Sequence, residues 1–207
     1  MESIRGVSSY DRSEGMVILS GESDWGIKIN GNKIKFPCKV KALQSMGIEI
    51  EADLDDITKR LLAKEFVMLG CKMRHNFEGE RKSYNIEIGI VDGEVSVVEI
   101  DFSTVTDRMN KRVYMTFNGL DYTAQIKDFL KEYGQPAEVT YLLENTPNGV
   151  WREIVKSLDE IPPQYRKQAL HSGYITLWYR NNSSEMEVLF AYGKLQKITV
   201  RCLQEQL

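Results

Sequence analysis

The sequence predicts an α+β fold, mostly antiparallel sheets with four or so short helices, in two subdomains. Three observations carry this expectation. Apolar residues alternate with polar ones in many short runs, the period of a half-buried strand. The dipeptides Asn30-Gly31 and Asp92-Gly93 separate such runs, and both accept the positive φ angles of a tight hairpin turn. Tyr122, Ile126, Phe129, Leu130 and Tyr133 recur at the spacing that lines one side of an α-helix.

The elements follow in order. A short strand is expected at Met16–Ser20, and a hairpin over Ile27–Ile34 around Asn30-Gly31-Asn32. Residues 33–41 alternate lysine or proline with apolar side chains, and Pro37, which cannot donate to a ladder, makes this an edge strand. A short strand is expected at Met46–Glu51. Asp53 caps a helix reaching Phe66, with Leu54, Ile57, Leu61 and Leu62 as its dry stripe. Strands are expected at Val67–Arg74, Ser83–Val91, Glu94–Phe102 and Arg112–Asn118. A slip in apolar parity between Val97 and Val98 predicts a bulge. The helix from Asp121 to Tyr133 ends at Gly134, which accepts a left-handed conformation, and Pro136 forbids its continuation. A strand follows at Ala137–Leu143. A turn at Thr146-Pro147-Asn148-Gly149 leads to helices at Val150–Leu158 and Gln164–His171. Three strands close the chain, Tyr174–Arg180, Glu185–Tyr192 and Leu195–Cys202, with turns at Asn181–Ser184 and Gly193-Lys194.

No Pro/Gly/Ser-rich linker divides the 207 residues, and the softest boundary lies at Asn118–Leu120. Residues 1–118 are therefore expected to form a β-rich subdomain with one helix, and 119–207 a helix with a three- or four-strand antiparallel sheet. Arg74-His75-Asn76 and Arg180-Asn181-Asn182 each end a strand and precede a hairpin, an echo insufficient by itself to establish a duplication.

A net charge of -3 gives no global pull toward nucleic acid or an anionic membrane. Cys38, Cys71 and Cys202 are odd in number and far apart, unlike a secreted disulfide framework, and the N-terminus has no apolar signal segment. No apolar run approaches the roughly 20 residues that span a bilayer. A soluble, cytoplasmic protein without membrane partners is expected.

The order of a helix, Tyr-Gly-x-Pro and an aromatic-bearing three-strand meander is carried by Phe129, Leu130, Gly134, Pro136, Trp178, Tyr179, Phe190, Gly193 and Ile198. Over Leu120–Leu203 this resembles the small helix-plus-sheet domains of SmpA-type outer-membrane assembly lipoproteins, and it is similar to the tandem repeats of the β-lactamase inhibitor protein. The resemblance implies a non-enzymatic protein that binds other proteins through a sheet face. The chain departs from those families in having no lipid-attachment leader, and in the two helices expected between Val150 and Gly173. No functional residue is carried across.

Reactive motifs are scarce. Cys71 and His75 on one strand would stand roughly 13 Å apart, too far to share a metal. The glycines form no phosphate-binding loop, and no nucleophile elbow occurs. No catalytic residue, metal or cofactor is therefore assigned. The leading expectation is a non-catalytic protein-binding module, such as an adaptor, assembly factor or immunity-type inhibitor. Its anchors would be Trp178, Tyr174, Tyr179 and Tyr192 on an aromatic sheet face. One alternative is nucleic-acid or nucleotide binding by Lys33, Lys35, Lys39, Lys41, Lys72, Arg74, Arg81 and Lys82, with Phe77 or Tyr84 stacking on bases. Another is an enzyme using dispersed carboxylates such as Asp53, Asp55, Asp56, Glu99 and Asp101.

Overall fold

A computed structural model of the chain describes residues 27–29, 32–34, 37–45, 48–50, 67–73, 75–77, 80–82, 85–91, 93–103, 119–146 and 149–202. The chain is α+β and mostly antiparallel. The first hairpin is β1 (Ile27–Ile29) with β2 (Asn32–Ile34), paired antiparallel from Ile29–Asn32 outward. β3 is only Cys38–Lys39, and the chain then enters α1 (Val40–Gln44). The long edge strand expected over residues 33–41 is thus cut short. Val40 and Leu43 take helical spacing, and Leu43 is buried. β4 (Ile48–Ile50), β5 (Val67–Met73), the small β6–β7 hairpin (His75–Phe77, Glu80–Lys82), β8 (Asn85–Val91) and β9 (Glu94–Asp101) follow. The elements expected at 16–20, 53–66 and 112–118 lie outside the described residues.

The second half contains α2 (Ile126–Tyr133), β10 (Glu138–Thr146), β11 (Gly149–Val155), a single 3-10 turn (Leu158–Glu160), α3 (Pro163–Ser172), β12 (Tyr174–Arg180), β13 (Ser184–Ala191) and β14 (Lys194–Cys202). α2 begins one turn later than expected. Asp121 accepts the Thr123 amide at 2.8 Å in a local turn, and the helix is capped instead by a reciprocal box between Gln125 and Asp128. Gly134 ends it with φ 76°. The helix expected at Val150–Leu158 is absent. Its apolar residues sit at helical spacing, but the turn after Thr146 folds the segment back onto β10. There β-branched Val150, Ile154 and Val155 extend as β11.

One sheet runs β11-β10-β12-β13-β14-β9-β8-β5-β4, and β3 pairs additionally with β9. It contains the same three-strand meander twice. β8 turns into β9 after Val91, and β13 into β14 after Ala191, each through two residues. Gly93 and Gly193, 100 residues apart, have φ 76° and 73°. Each returning strand carries one extra residue three positions later, Ser96 or Gln196, where the register shifts. The parity slip therefore does mark a bulge, centred one residue before Val97. Buried residues coincide at the same offset: Ile86, Ile88, Ile90, Val95, Val98 and Ile100 correspond to Met186, Val188, Phe190, Leu195, Ile198 and Val200. β5 pairs with β8 as β12 pairs with β13, Cys71 meeting Ile86 as Tyr179 meets Met186. By this register the counterpart of Arg180 is Lys72, not Arg74.

The two meanders join along β9 and β14. Glu99 opposes Thr199, Val98 opposes Val200, and Ile100 opposes Ile198. Exchanging the meanders maps this set of pairs onto itself, so a local two-fold axis passes through the Glu99–Thr199 pair.

One face of the sheet forms the core. α2 lies on it, with Phe129 edge-on to Phe190 at 5.6 Å between ring centres and Tyr133 against Tyr179 at 5.6 Å. α3 seats where Gly173 crosses it closely; a Cβ there would fall 2.6 Å from the Leu142 carbonyl oxygen. Truncating Phe190 to alanine removes the ring that joins helix to sheet. We expect a loss of about 3–5 kcal/mol in urea unfolding, against no more than about 0.5 kcal/mol for Val150→Ala on the exposed edge.

Candidate protein-docking face

The opposite face of the sheet is lined, in the second meander and β10, by Tyr174, Thr176, Trp178 and Arg180 of β12, by Glu185, Glu187 and Leu189 of β13, and by Glu138 and Thr140 of β10. Alternation puts these side chains opposite the core residues. No described helix packs on this side. Its polar groups are instead satisfied laterally. Arg180 donates to Glu185 at 2.9 Å and reaches Glu138 at 3.5 Å. Arg201 donates to Glu187 at 2.8 Å and reaches Glu185 at 3.5 Å. Across the meander junction, Thr199 and Lys197 both bond Glu99, each at 3.2 Å.

This network tunes and fixes its members. Burial alone would lower the Arg180 guanidinium, but the hydrogen bond and charge of Glu185, with Glu138 behind it, leave it raised. These side chains are largely covered, so the network holds geometry more firmly than an isolated surface pair. Trp178 is set within it. Its indole N–H donates to Thr140 Oγ1 at 3.3 Å, and the Arg180 guanidinium stacks 5.8 Å from the ring centre. The residue stays partly exposed.

Tyr174 lies on the same face, four residues away. Tyr192 meets it from the β13–β14 turn, with ring centres 5.3 Å apart, hydroxyls 3.0 Å apart, and Glu144 accepting from Tyr192 at 3.2 Å. Tyr192 has φ 53°, so both turn residues are left-handed, and the turn is Tyr192-Gly193 rather than the expected Gly193-Lys194. That conformation costs a non-glycine residue on the order of 1 kcal/mol, yet a tyrosine sits here, 53% exposed.

Of the four expected anchors, the fold therefore brings Tyr174 and Tyr192 together and sets Trp178 on the same face. Tyr179 is turned away: it is 3% exposed, on the core side, against Tyr133. Ile154 and Val150 of β11 are exposed and extend the face toward the sheet edge, a contribution hidden while this segment was expected to be a helix. The alternation of Val150, Arg152 and Ile154 was the available signal.

The described basic residues lie on several elements. Lys39 is paired with Glu94 at 2.8 Å, and Lys41 is exposed on α1. Lys33, Lys72, Arg81 and Lys82 are placed only as strand residues, the last two in the β6–β7 hairpin; Lys35 and Arg74 lie outside the described residues. Among the described residues no group of three or more His, Cys, Asp or Glu is arranged to hold a metal, and no helix is long and apolar enough to cross a membrane. Comparison with protein-family models, with curated proteins and with solved structures returns no match.

Three tyrosines carry a pH signature. Burial, reinforced by the hydrogen bond to Glu153, pushes Tyr141 up to about 12. The Tyr192 hydrogen bond and burial raise Tyr174, and burial with the nearby Tyr133 raises Tyr179. The unfolded chain gives up these protons near its ordinary value of 10 while the native protein keeps them. The contribution of these groups to stability is therefore present below pH 10 and falls as the pH rises toward 12. Urea midpoints measured between pH 9 and 12 should decline, and Tyr141→Phe should flatten the decline.

Proposed function

We propose that this chain is a non-catalytic protein-binding module that docks a partner protein on the sheet face of its second meander that no described helix covers. The observation that carries the reading is Trp178, held by Thr140 and Arg180 while it stays partly exposed. An aromatic side chain ordered before binding loses little entropy on docking, which is the property of an interface anchor. Tyr174, Tyr192, Leu189 and Ile154 supply further apolar surface around it, and Glu138, Glu187 and Arg201 form a polar rim.

The strained backbone of Tyr192 supports the same reading. Asparagine would fill that turn position with less strain, so an exposed tyrosine there runs against local preference. The charges around the face are already paired, which leaves the aromatic groups as the main source of affinity. A cytoplasmic adaptor, assembly factor or inhibitor would each use such a face.

Two substitutions separate binding from folding. Trp178→Ala and Tyr192→Asn should each leave the thermal midpoint within a few degrees of wild type, and Tyr192→Asn should hold or raise it. Affinity capture from the native host with wild type and both variants should lose a common, saturable partner, with a loss of at least tenfold in affinity once that partner is purified. An unchanged set of captured proteins would sink the proposed surface. A titration with mixed oligonucleotides at two salt concentrations should give no binding; salt-sensitive binding would favour the lysine-rich surface instead.

A further inference from the structure

β3 and β14 lie end to end along one edge of β9. β14 is paired as far as Arg201 opposite Val97, and β3 begins with Cys38 opposite Val95, both antiparallel to β9. Continuing the β14 register by one residue sets Cys202, the last residue of that strand, beside Ser96. Cys202 and Cys38 thus occupy successive places on the same edge.

The bulge at Ser96 decides which way they face. Without it, Val95 and Val97 would share a side; with it, Val95 returns to the core side and Cys38, its partner, follows. Cys202 alternates with outward-facing Arg201 and shares the side of buried Val200. Both thiols are free, and both are half-buried rather than sealed. Cys71 is buried in β5, two strands further on, and stands apart from the pair.

We propose that Cys38 and Cys202 form a disulfide on oxidation, a clamp that fixes β3 and α1 to the edge of β9. In the reduced protein β3 is held by two residue pairs and the exposed Lys39–Glu94 contact, the weakest attachment described in the sheet. A covalent link between its first residue and the last residue of β14 makes that attachment permanent while oxidising conditions last.

The exchange balances with a small-molecule disulfide as oxidant. One cysteine, as thiolate, attacks the small disulfide, releases one small thiol and becomes a mixed disulfide. The second thiolate displaces the remaining small thiol and closes the protein bond. The protein loses two protons and two electrons, and the oxidant is reduced to two thiols. Burial and the neighbouring Cys38 push the Cys202 thiol up to about 11, and burial with Glu94 raises Cys38. The thiolate is therefore scarce at neutral pH, and closure accelerates about tenfold per pH unit between pH 7 and 9.

The test uses the full chain with oxidised glutathione at pH 8.5, followed by alkylation and non-reducing peptide mapping. Thiols titrated after unfolding should fall from three to one, a bridged Cys38–Cys202 peptide should appear, and Cys71 should be alkylated only after unfolding. The oxidised protein should melt at least about 5 °C higher, a gain reversed by dithiothreitol and absent in Cys202→Ser, Cys38→Ser and Cys38→Ala. Reduced melting curves establish that each variant folds. Glutathione adducts without a bridge, a bridge to Cys71, a link between molecules, or three unmodified thiols would each overturn the proposal.

Discussion

The pairing of β9 with β14 is the interaction on which the rest of the structure depends. Each meander alone would leave a strand rich in valine and isoleucine, Val95–Ile100 or Leu195–Val200, with an open ladder on one side. Such an edge is an aggregation hazard. Joining the two along a local two-fold removes both edges at once. It leaves β4 and β11 as the ends of the sheet and supplies the shelf on which β3 rests. The join is made between residues 100 positions apart, as in the Thr199–Glu99 bond, so its closure entropy must be met by the core that it completes.

The two meanders share a core and differ on the opposite face, on which no described helix packs. At matched core positions both carry apolar residues, because the same strand spacing must be filled. On the uncovered side the register that sets Trp178 beside Glu187 sets Gly70 beside Glu87. Packing constrains one side of the sheet alike in both units, while the other side is free to differ. The aromatic groups of that face are gathered in the second unit. The first unit offers exposed backbone and Met68 at the equivalent place.

Short-range chemistry made part of this legible in the sequence. Asp92-Gly93 and Asn30-Gly31 announced their hairpins because left-handed turn conformations restrict the residues allowed. Phe129 and Tyr133 announced α2 because a helix repeats its buried side every 3.6 residues. Where two periods fit one segment, the local signal failed: Val150–Leu158 spaces its apolar residues for a helix, and only the partner strand β10 makes it extended. The proposed docking face was half legible. Residues 174–180 carry apolar side chains at both parities, so the sequence named Trp178, Tyr174 and Tyr179 together without separating the two faces. Tyr179, one residue out of phase with Trp178, belongs to the core by strand parity once α2 is seated on one side. The Arg180–Glu185–Arg201–Glu187 network was invisible, since it depends on the relative register of β12, β13 and β14. The duplication was masked because equivalent core positions hold different apolar residues, such as Ile90 and Phe190, and because its surfaces differ.

Native-state hydrogen exchange resolved by residue tests the central claim most directly. If β9 and β14 form the joint that holds one sheet together, the inward amides of residues 97–101 and 197–201 should exchange only through global unfolding, with the same opening free energy as the centres of β8, β12 and β13. Exchange of those amides through a lower-energy opening, while β8 and β13 remain protected, would mean that the meanders part before they unfold and would contradict the account.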